Sequence, residues 1–288
     1  MGRFEALDWI AIIGYIVFAM SVGIYLTKRA SKSTDDFYLA GRSLKWWVAG
    51  TSLVATSFAA DTPLVISGWV RSSGISQNWL WWGMAVGGSL TFVVLAAWWR
   101  RLEVTTDAEF IERRYSGKPA SFLRGFYGCY HALITNTIVL TWVLLAMLKL
   151  VRVILGAEDG SYDIYIVGGG LVLALSYSFL SGLWGVVVTD LMQFTLAMFG
   201  AIFLAYKSID ALGGFTAAQQ AFAGLPRATT SIMPLPNEEG LSWDSLAWWS
   251  QGFGAFFIFI GVQGWLNKNA DGGGAGVQRY SASLDENH

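Results

Sequence analysis

The chain has 288 residues, of which 54% are hydrophobic and only 14% are charged, and its formal net charge is −1. A soluble domain usually carries about 25% charged residues, so this composition predicts a polytopic membrane protein. The near-neutral charge argues against a nucleic-acid partner, and the single cysteine, Cys129, excludes an internal disulfide framework.

Seven apolar segments are long enough to cross a hydrocarbon core of roughly 30 Å at about 1.5 Å per residue. They lie approximately at residues 7–26, 46–70, 79–99, 121–155, 164–180, 186–206 and 246–264. The sequence therefore predicts an all-α membrane protein with about seven transmembrane helices in a lipid bilayer.

The basic residues predict the orientation. If the N-terminus is outside, thirteen of the nineteen Lys and Arg residues fall in the inner connections, as the positive-inside rule requires. We therefore expect a multi-pass protein of the plasma (inner) membrane with its N-terminus outside.

Two short helices are predicted in the connections. On the inner side, residues 105–115 have the pattern of a surface helix, with Thr106 as its N-cap and Glu109 three residues later, as in a capping box. On the outer side, glycines at 213–214 and a proline at 226 bracket a helix at about 215–223.

The second apolar segment carries an acid and a proline at its centre, Asp61 and Pro63. A carboxylate at bilayer depth costs roughly 2.5–3.5 kcal/mol on insertion scales, and proline removes one N–H donor from the helix. Together they predict a discontinuous membrane helix at a binding site. The alternative is a proline kink in which Asp61 snorkels or pairs with another group of the protein.

A helix break also suits a sodium ion, because Na⁺ is bound by oxygen atoms and a break releases backbone carbonyl groups. The residues just before Pro63 are therefore predicted to form the sodium site.

Other polar residues lie within the apolar segments. Asp190, next to Thr189, is predicted to act either as a helix cap favoured by the macrodipole or as a carboxylate on an ion path. Thr135 and Asn136 are predicted to make either interhelical hydrogen bonds or contacts with a solute.

Five motifs resemble those of the sodium:solute symporter family in their order and spacing. They are DFYLAGRSL at 36–44, WWVAGTSLVA at 46–55, DAEFIERRY at 107–115, VTDLMQ at 188–193 and GGGAGVQR at 272–279.

This resemblance implies a LeuT-type fold, with a leading helix followed by two inverted five-helix repeats. Residues 7–26 would form the leading helix, 46–206 the first repeat, 207–245 an extracellular or periplasmic loop with a short helix, and 246–288 the start of the second repeat. The chain would then be about half of a family member, without the C-terminal half of the transporter.

The resemblance also implies roles for single residues. The carbonyls of Ala55 and Phe58 match those of the family's sodium site, and Thr189 and Asp190 match a Thr-Asp pair associated with sodium passage to the cytoplasm. Asp61 occupies the position of an acid that follows the break in the sugar transporters.

Three positions depart from the patterns of individual transporters. Thr62 stands where the sugar transporters have a glutamine, and Trp81 stands where they have a glutamate that contacts the sugar. Ser57 stands where the proline transporters have an intramembrane aspartate. The solute is therefore left open between sugars, amino acids and carboxylates.

The leading hypothesis is a symporter that couples a small polar organic solute to Na⁺, the co-transported ion. The candidate Na⁺ ligands are Ala55, Ser57, Phe58, Thr189 and Asp190. The candidate solute-binding residues are Asp61, Thr62, Thr135, Asn136 and Gln263.

Two other classes of protein are alternatives to the symporter. One is a membrane sensor in which a symporter-type module is fused to a signalling domain. The other is an intramembrane enzyme, which is disfavoured because the sequence has no Gly-x-Ser-x-Gly or His-Glu-x-x-His motif and no paired membrane aspartates at catalytic spacing.

Overall fold

The computed structural model describes residues 5–156, 160–233, 257, 258, 261 and 274–287. Within these residues the regular structure is helical, apart from one isolated bridge between Leu44 and Ser283. The helices are α1 (Ala6–Ala30), α2 (Thr34–Leu39), α3 (Trp46–Thr56), α4 (Asp61–Ser73), α5 (Trp79–Leu90), α6 (Ala96–Leu102), α7 (Asp107–Arg114), α8 (Gly117–Tyr130), α9 (Asn136–Leu155), α10 (Asp163–Ala211), α11 (Phe215–Ala223), α12 (Arg227–Thr230) and α13 (Ala275–Ala282).

Three stretches of the described chain are long and apolar enough to span a membrane as single helices: Ala6–Ala30, Gly117–Leu155 and Ser178–Ala211. A fourth span results if α3 and α4 are counted together. Their large apolar side chains are widely exposed, such as Ile13 and Phe199, as expected of surfaces that face lipid rather than water.

The helices agree with most of the predicted segments. The second segment is interrupted at residues 57–60, between α3 and α4, where a break was predicted. The fifth and sixth segments lie on one element, α10, in which Gly182 has non-helical dihedral angles. The seventh segment, at 246–264, lies almost entirely outside the described residues.

Two short helices match the prediction closely. Helix α11 has the predicted bounds, 215–223. Helix α7 begins after Thr106, whose hydroxyl accepts a hydrogen bond from the N–H of Glu109. The Glu109 carboxylate accepts from the N–H of Thr105 (2.8 Å), one residue earlier than a standard capping box would require.

Two helical stretches contain one turn of π-helix, which the sequence did not predict. Residues Thr91–Leu95 join α5 to α6, and residues His131–Thr135 join α8 to α9. Such turns insert an extra residue into the helical hydrogen-bond ladder and often occur near functional sites.

The chain divides into two compact units. The first contains residues 1–61, 97–195 and 274–288, and the second contains residues 62–96 and 196–273. In the second unit, the indole N–H of Trp79 donates to the Ile232 carbonyl (2.9 Å), and the rings of Trp69 and Trp81 lie 6.0 Å apart.

The first unit has a small buried core where four elements meet: the end of α2 with the loop that follows it, the start of α3, α10 just after Gly182, and α13. Its members are Leu39, Ala40, Leu44, Ala49, Leu183, Val187 and Ala282. Beside this core, the indole N–H of Trp184 donates to the Ala40 carbonyl (3.0 Å), and the Arg29 guanidinium lies 4.3 Å from the Trp184 ring centroid.

Gly182 allows α10 to pass close to α2. Its φ is +54°, and a Cβ atom placed there would lie 2.4 Å from the carbonyl oxygen of Phe37. Only glycine adopts this conformation readily and leaves room for that carbonyl. The motif at 36–44 and the bend in α10 are therefore parts of one packing arrangement.

The residues after α13 are bound to the loop before α3 and to α6. The N–H of Leu44 donates to the Ala282 carbonyl (3.0 Å), and Arg100 donates to the carbonyls of Ser283 (2.9 Å) and Leu284 (3.2 Å). At the surface, a hydrogen bond from Arg101 lowers the pKa of Glu286 below its ordinary value.

Candidate functional site

Three buried polar side chains from different elements meet within the first unit: Ser52 on α3, Asp190 on α10 and Arg279 on α13. Arg279 donates from Nε to the Ser52 hydroxyl (2.9 Å) and from Nη2 to Oδ2 of Asp190 (3.2 Å). The Ser52 hydroxyl donates to the same Oδ2 (2.5 Å), which closes a ring of three hydrogen bonds.

The exposure of these side chains makes the cluster unusual. Ser52 is 0% exposed, Arg279 3% and Asp190 6%. An isolated buried charge is costly, so a buried acid is expected to have a cation and a hydrogen-bond donor as partners. Arg279 and Ser52 fill these two roles, and Arg279 is further fixed by donating to the Ala275 carbonyl one turn earlier (3.2 Å).

The helix break follows this cluster along the chain. Ala55 lies one turn after Ser52, and α3 ends at Thr56. Ala55 is buried, and its carbonyl accepts a hydrogen bond from the N–H of Phe58 (3.0 Å). The N–H of Ser57, the C-cap residue of α3, also points to this carbonyl oxygen. Beyond α3 the chain is non-helical until Asp61.

The remaining predicted sodium ligands have different surroundings. The Ser57 hydroxyl donates to the Val54 carbonyl (2.6 Å), and Ser57 itself is exposed. Thr189 is buried, and its hydroxyl donates to the carbonyls of Gly185 (3.0 Å) and Val186 (2.9 Å) in its own helix. The structure therefore places Ala55 and Asp190 near one another through Ser52, whereas the hydroxyls of Ser57 and Thr189 bond to their own backbone.

Asp61 has a partner on α9. The indole N–H of Trp142 donates to Oδ2 of Asp61 (2.7 Å), and Asp61 is only 9% exposed. Asp61 is therefore paired with another group of the protein. The pair still leaves the second carboxylate oxygen of Asp61 as an acceptor for a bound solute.

The other predicted solute-binding residues are distributed along the chain. Thr62 follows Asp61 directly and is half-buried. Thr135 ends the π-turn before α9 and is half-buried, and Asn136 begins α9 and is exposed. Gln263 lies outside the described residues.

Trp81, which replaces the glutamate expected in the sugar transporters, packs against Trp69 in the second unit. Its indole N–H is buried and has no hydrogen-bond partner among the residues that the structure describes.

Three residues of this region were not predicted as site residues: Ser52, Trp142 and Arg279. Ser52 lies inside the motif at 46–55, and Arg279 lies inside the motif at 272–279. The motifs therefore include both residues but do not predict that the two side chains contact each other or Asp190. Trp142 lies seven residues beyond Thr135 in the same helical stretch, and a tryptophan in an apolar helix gives no signal that distinguishes it from a lipid-facing one.

The family model that matches this chain describes the sodium:solute symporter family and covers residues 37–263. A sodium/glucose cotransporter from Vibrio parahaemolyticus is 29% identical over 210 residues, which cover 69% of this chain and 36% of the relative. The sodium/sialic acid symporter NanT from Aliivibrio fischeri is 27% identical over 209 residues, covering 70% of this chain and 38% of the relative. A rat sodium/myo-inositol cotransporter 2 is 27% identical over 247 residues, covering 82% of this chain and 34% of the relative. The chain thus spans less than two-fifths of the length of these curated relatives.

A solved structure, described as the substrate-bound outward-open state of a Na⁺-coupled sialic acid symporter, is similar in fold. The TM-score is 0.79 at 20% sequence identity, over 99% of this chain and 55% of the solved chain. This likeness supports the LeuT-type fold. Together with the family match over residues 37–263, it means that this chain belongs to the sodium:solute symporter family.

Proposed function

We propose that this chain forms the N-terminal part of a symporter that couples the uptake of a small polar organic solute to Na⁺. The observation that carries the proposal is the interrupted helix pair α3 and α4, since a break of this kind leaves backbone carbonyls free to bind a cation inside a membrane.

The proposed sodium site uses the carbonyls of Ala55 and Phe58, with the Ser57 hydroxyl as a further oxygen within the same loop. Phe58 follows the end of α3, so its carbonyl lies beyond the regular helical ladder. Carbonyl oxygens are suitable ligands for a hard cation, and no resident metal is needed because Na⁺ is cargo here.

Asp190 is proposed to receive the ion on its way to the cytoplasm, with Thr189 beside it. A cation that approaches the Asp190 carboxylate would compete with Arg279 for the same oxygen and weaken the contact between α10 and α13. Such competition would link sodium release to movement of the inner side of the protein, and coupling requires only that both ligands prefer the same conformation.

The solute is proposed to bind near Asp61, Thr62, Thr135, Asn136 and Gln263. The names of the relatives point to glucose, sialic acid and myo-inositol, which are all polar and rich in hydroxyl groups. Among the residues that the structure describes, the indole N–H of Trp81 has no hydrogen-bond partner, and an indole can donate a hydrogen bond but cannot replace a carboxylate as an acceptor. A sugar, amino acid or carboxylate therefore remains the proposed class of solute.

The proposed organisation follows the family. Residues 46–206 would form the first five-helix repeat after the leading helix, and the segment from 246 would open the second. A C-terminal half would supply the remaining helices and Na⁺ ligands. The protein would lie in the plasma (inner) membrane with its N-terminus outside, as the thirteen inner-side cations favour.

Uptake by the full-length protein in proteoliposomes would test this function. With an inward Na⁺ gradient, we expect accumulation of one labelled solute from a panel of sugars, amino acids and carboxylates, and no accumulation with an equal K⁺ gradient. Accumulation that is the same with K⁺ would contradict sodium coupling.

Asp190→Ala is expected to lower sodium-driven uptake, because it removes the proposed ion-binding carboxylate on the path to the cytoplasm. The expected decrease is roughly 5- to 150-fold, the factor that corresponds to typical coupling free energies. Asp190→Asn is a second variant that keeps the shape of the side chain but not its charge. Asp210→Ala, at the exposed end of the same helix, is the matched control. Unchanged sodium dependence in both Asp190 variants would remove this residue from the proposal.

A further inference from the structure

A cavity of about 640 Å³ opens where α7 meets α8, within the first unit. Arg113, Arg114 and Tyr115 line it from the end of α7, and Ser116 and Leu123 line it from α8 and its N-cap. The cavity lies in the inner connection predicted from the charge distribution, far along the chain from the helix break at 57–60.

The charge of this cavity is positive. Its acidic lining residue, Glu112, forms an ion pair with Arg124 and is therefore neutralised. Arg113 has only a long ion pair with Glu109 (3.8 Å), one turn earlier in α7. Within the described part of the chain, no hydrogen bond or ion pair engages Arg114, so its guanidinium is available to an anion.

The polar backbone at this point adds donors. Ser116 is the N-cap of α8 in an extended conformation, and among the described residues its side chain makes no capping hydrogen bond. Because Pro119 has no N–H, the backbone donors at the start of α8 are those of Gly117 and Lys118, which have no side-chain cap from Ser116. Such groups favour a negative charge. Arginine at such a place suits a phosphate group because its planar fork can donate two hydrogen bonds at once.

The apolar surface next to the cavity favours a lipid over a soluble anion. Leu123 lines the cavity itself, and Phe122 and Phe126 on α8 are 76% and 59% exposed. Phe122 lies about 9 Å along the helix axis from Ser116 at about 1.5 Å per residue. Basic groups followed at this distance by exposed apolar side chains match a phosphate headgroup followed by its acyl chains.

We propose that this cavity binds the phosphate headgroup of an anionic phospholipid in the cytoplasmic leaflet. Arg113 and Arg114 bind the phosphate, and the acyl chains lie along Phe122 and Phe126. The site would fix the α7–α8 hairpin at the membrane surface. The assignment to the cytoplasmic leaflet uses the proposed orientation, but lipid binding does not depend on transport.

The test measures how tightly the purified protein retains phosphatidylglycerol, by titrating mixed micelles and counting bound lipid by native mass spectrometry. Phosphatidylcholine and inorganic phosphate are the comparison ligands. We expect Arg113→Gln/Arg114→Gln to weaken phosphatidylglycerol binding by at least tenfold, since one arginine near an anionic headgroup contributes roughly a fivefold change. The matched control is Lys28→Gln/Lys32→Gln, which removes two exposed cations predicted on the same side but outside the cavity, and we expect it to change binding less than twofold.

Further variants separate the lipid from other ligands. Phe122→Ser/Phe126→Ser is expected to weaken phosphatidylglycerol binding while leaving any binding of inorganic phosphate unchanged. If the double arginine variant does not fold, Arg114→Gln alone removes an exposed cation that has no ion-pair partner among the described residues. It is expected to give about half of the effect on a logarithmic scale. Equal losses in the arginine variant and the lysine control, or full displacement of the lipid by millimolar phosphate, would overturn the proposal.

Discussion

The most deeply buried ion pair among the described residues is that of Asp190 and Arg279, which forms a ring with Ser52. Its members come from sequence positions 89 to 227 residues apart, so its formation requires α3, α10 and α13 to be in place together. An ion pair with so little exposure is weak support for stability in itself, since desolvation offsets much of the attraction. Removing only one of the two charged side chains is nevertheless strongly destabilising, because the other charge stays buried without a partner.

Arg279→Leu should destabilise the protein by about 3–5 kcal/mol, because it leaves the Asp190 carboxylate buried without its cation. Thermal unfolding of the purified protein in detergent would measure this. The control is the double variant Asp190→Leu/Arg279→Leu, which removes both charges and should recover most of the loss. A double variant less stable than the single one would show that unpaired charge is not the cause.

A second prediction at the scale of one residue concerns Gly182. Gly182→Ala should cost more than about 2 kcal/mol, because a Cβ there clashes with the Phe37 carbonyl and the φ of +54° is strained for alanine. The stability of Gly169→Ala provides the comparison on the same helix, since a Cβ at Gly169 has nothing within 4 Å. We expect Gly169→Ala to be neutral or slightly stabilising, and equal effects of the two substitutions would contradict the packing described for α10.

The site was less predictable from the sequence than the helices, for a physical reason. Asp190 and Asp61 were identified because an acid in an apolar segment is unusual on its own. Their partners Arg279 and Trp142 are ordinary in their local sequence and become significant only through contacts 89 and 81 residues apart. Local patterns carry no information about such distant pairs.

At the scale of elements, the apolar segments and short helices were predictable because each depends on its own residues. The spans depend on length and hydropathy, and α7 depends on its cap at Thr106. The π-turns at Thr91–Leu95 and His131–Thr135 were not predictable, because they change the hydrogen-bond register without a change in composition. The position of the residues after α13 could not be predicted from the sequence either, since it depends on backbone hydrogen bonds to Leu44.

For the whole molecule, the prediction concerns the side of the membrane on which each connection between helices lies. In a Cys129→Ser background, Ser161→Cys should react with a membrane-impermeant maleimide on intact cells, since the connection between α9 and α10 is predicted to be outside. Ser31→Cys, at the end of α1, should react only after permeabilisation. Both serines are exposed, so differences in burial do not explain a difference in labelling.

The reverse labelling pattern would place the N-terminus inside and move the α7–α8 cavity to the other leaflet. A membrane-permeant maleimide that labels both cysteines is the control for reactivity. The outcome bears on the sodium path as well, because the proposed passage of Na⁺ past Asp190 to the cytoplasm assumes the same orientation.

The π-turn at His131–Thr135 has a consequence for how this chain is aligned with its relatives. It holds one more residue than an α-helical turn, so a relative with a regular helix there would be one residue shorter. Deleting one residue from 131–135 would give a regular α-helical turn and leave Trp142 facing Asp61. A deletion within the regular part of the helix would instead rotate the residues after it by about 100°. An alignment gap belongs inside this turn, and a gap placed elsewhere in the helix would mispair every residue between that gap and the turn.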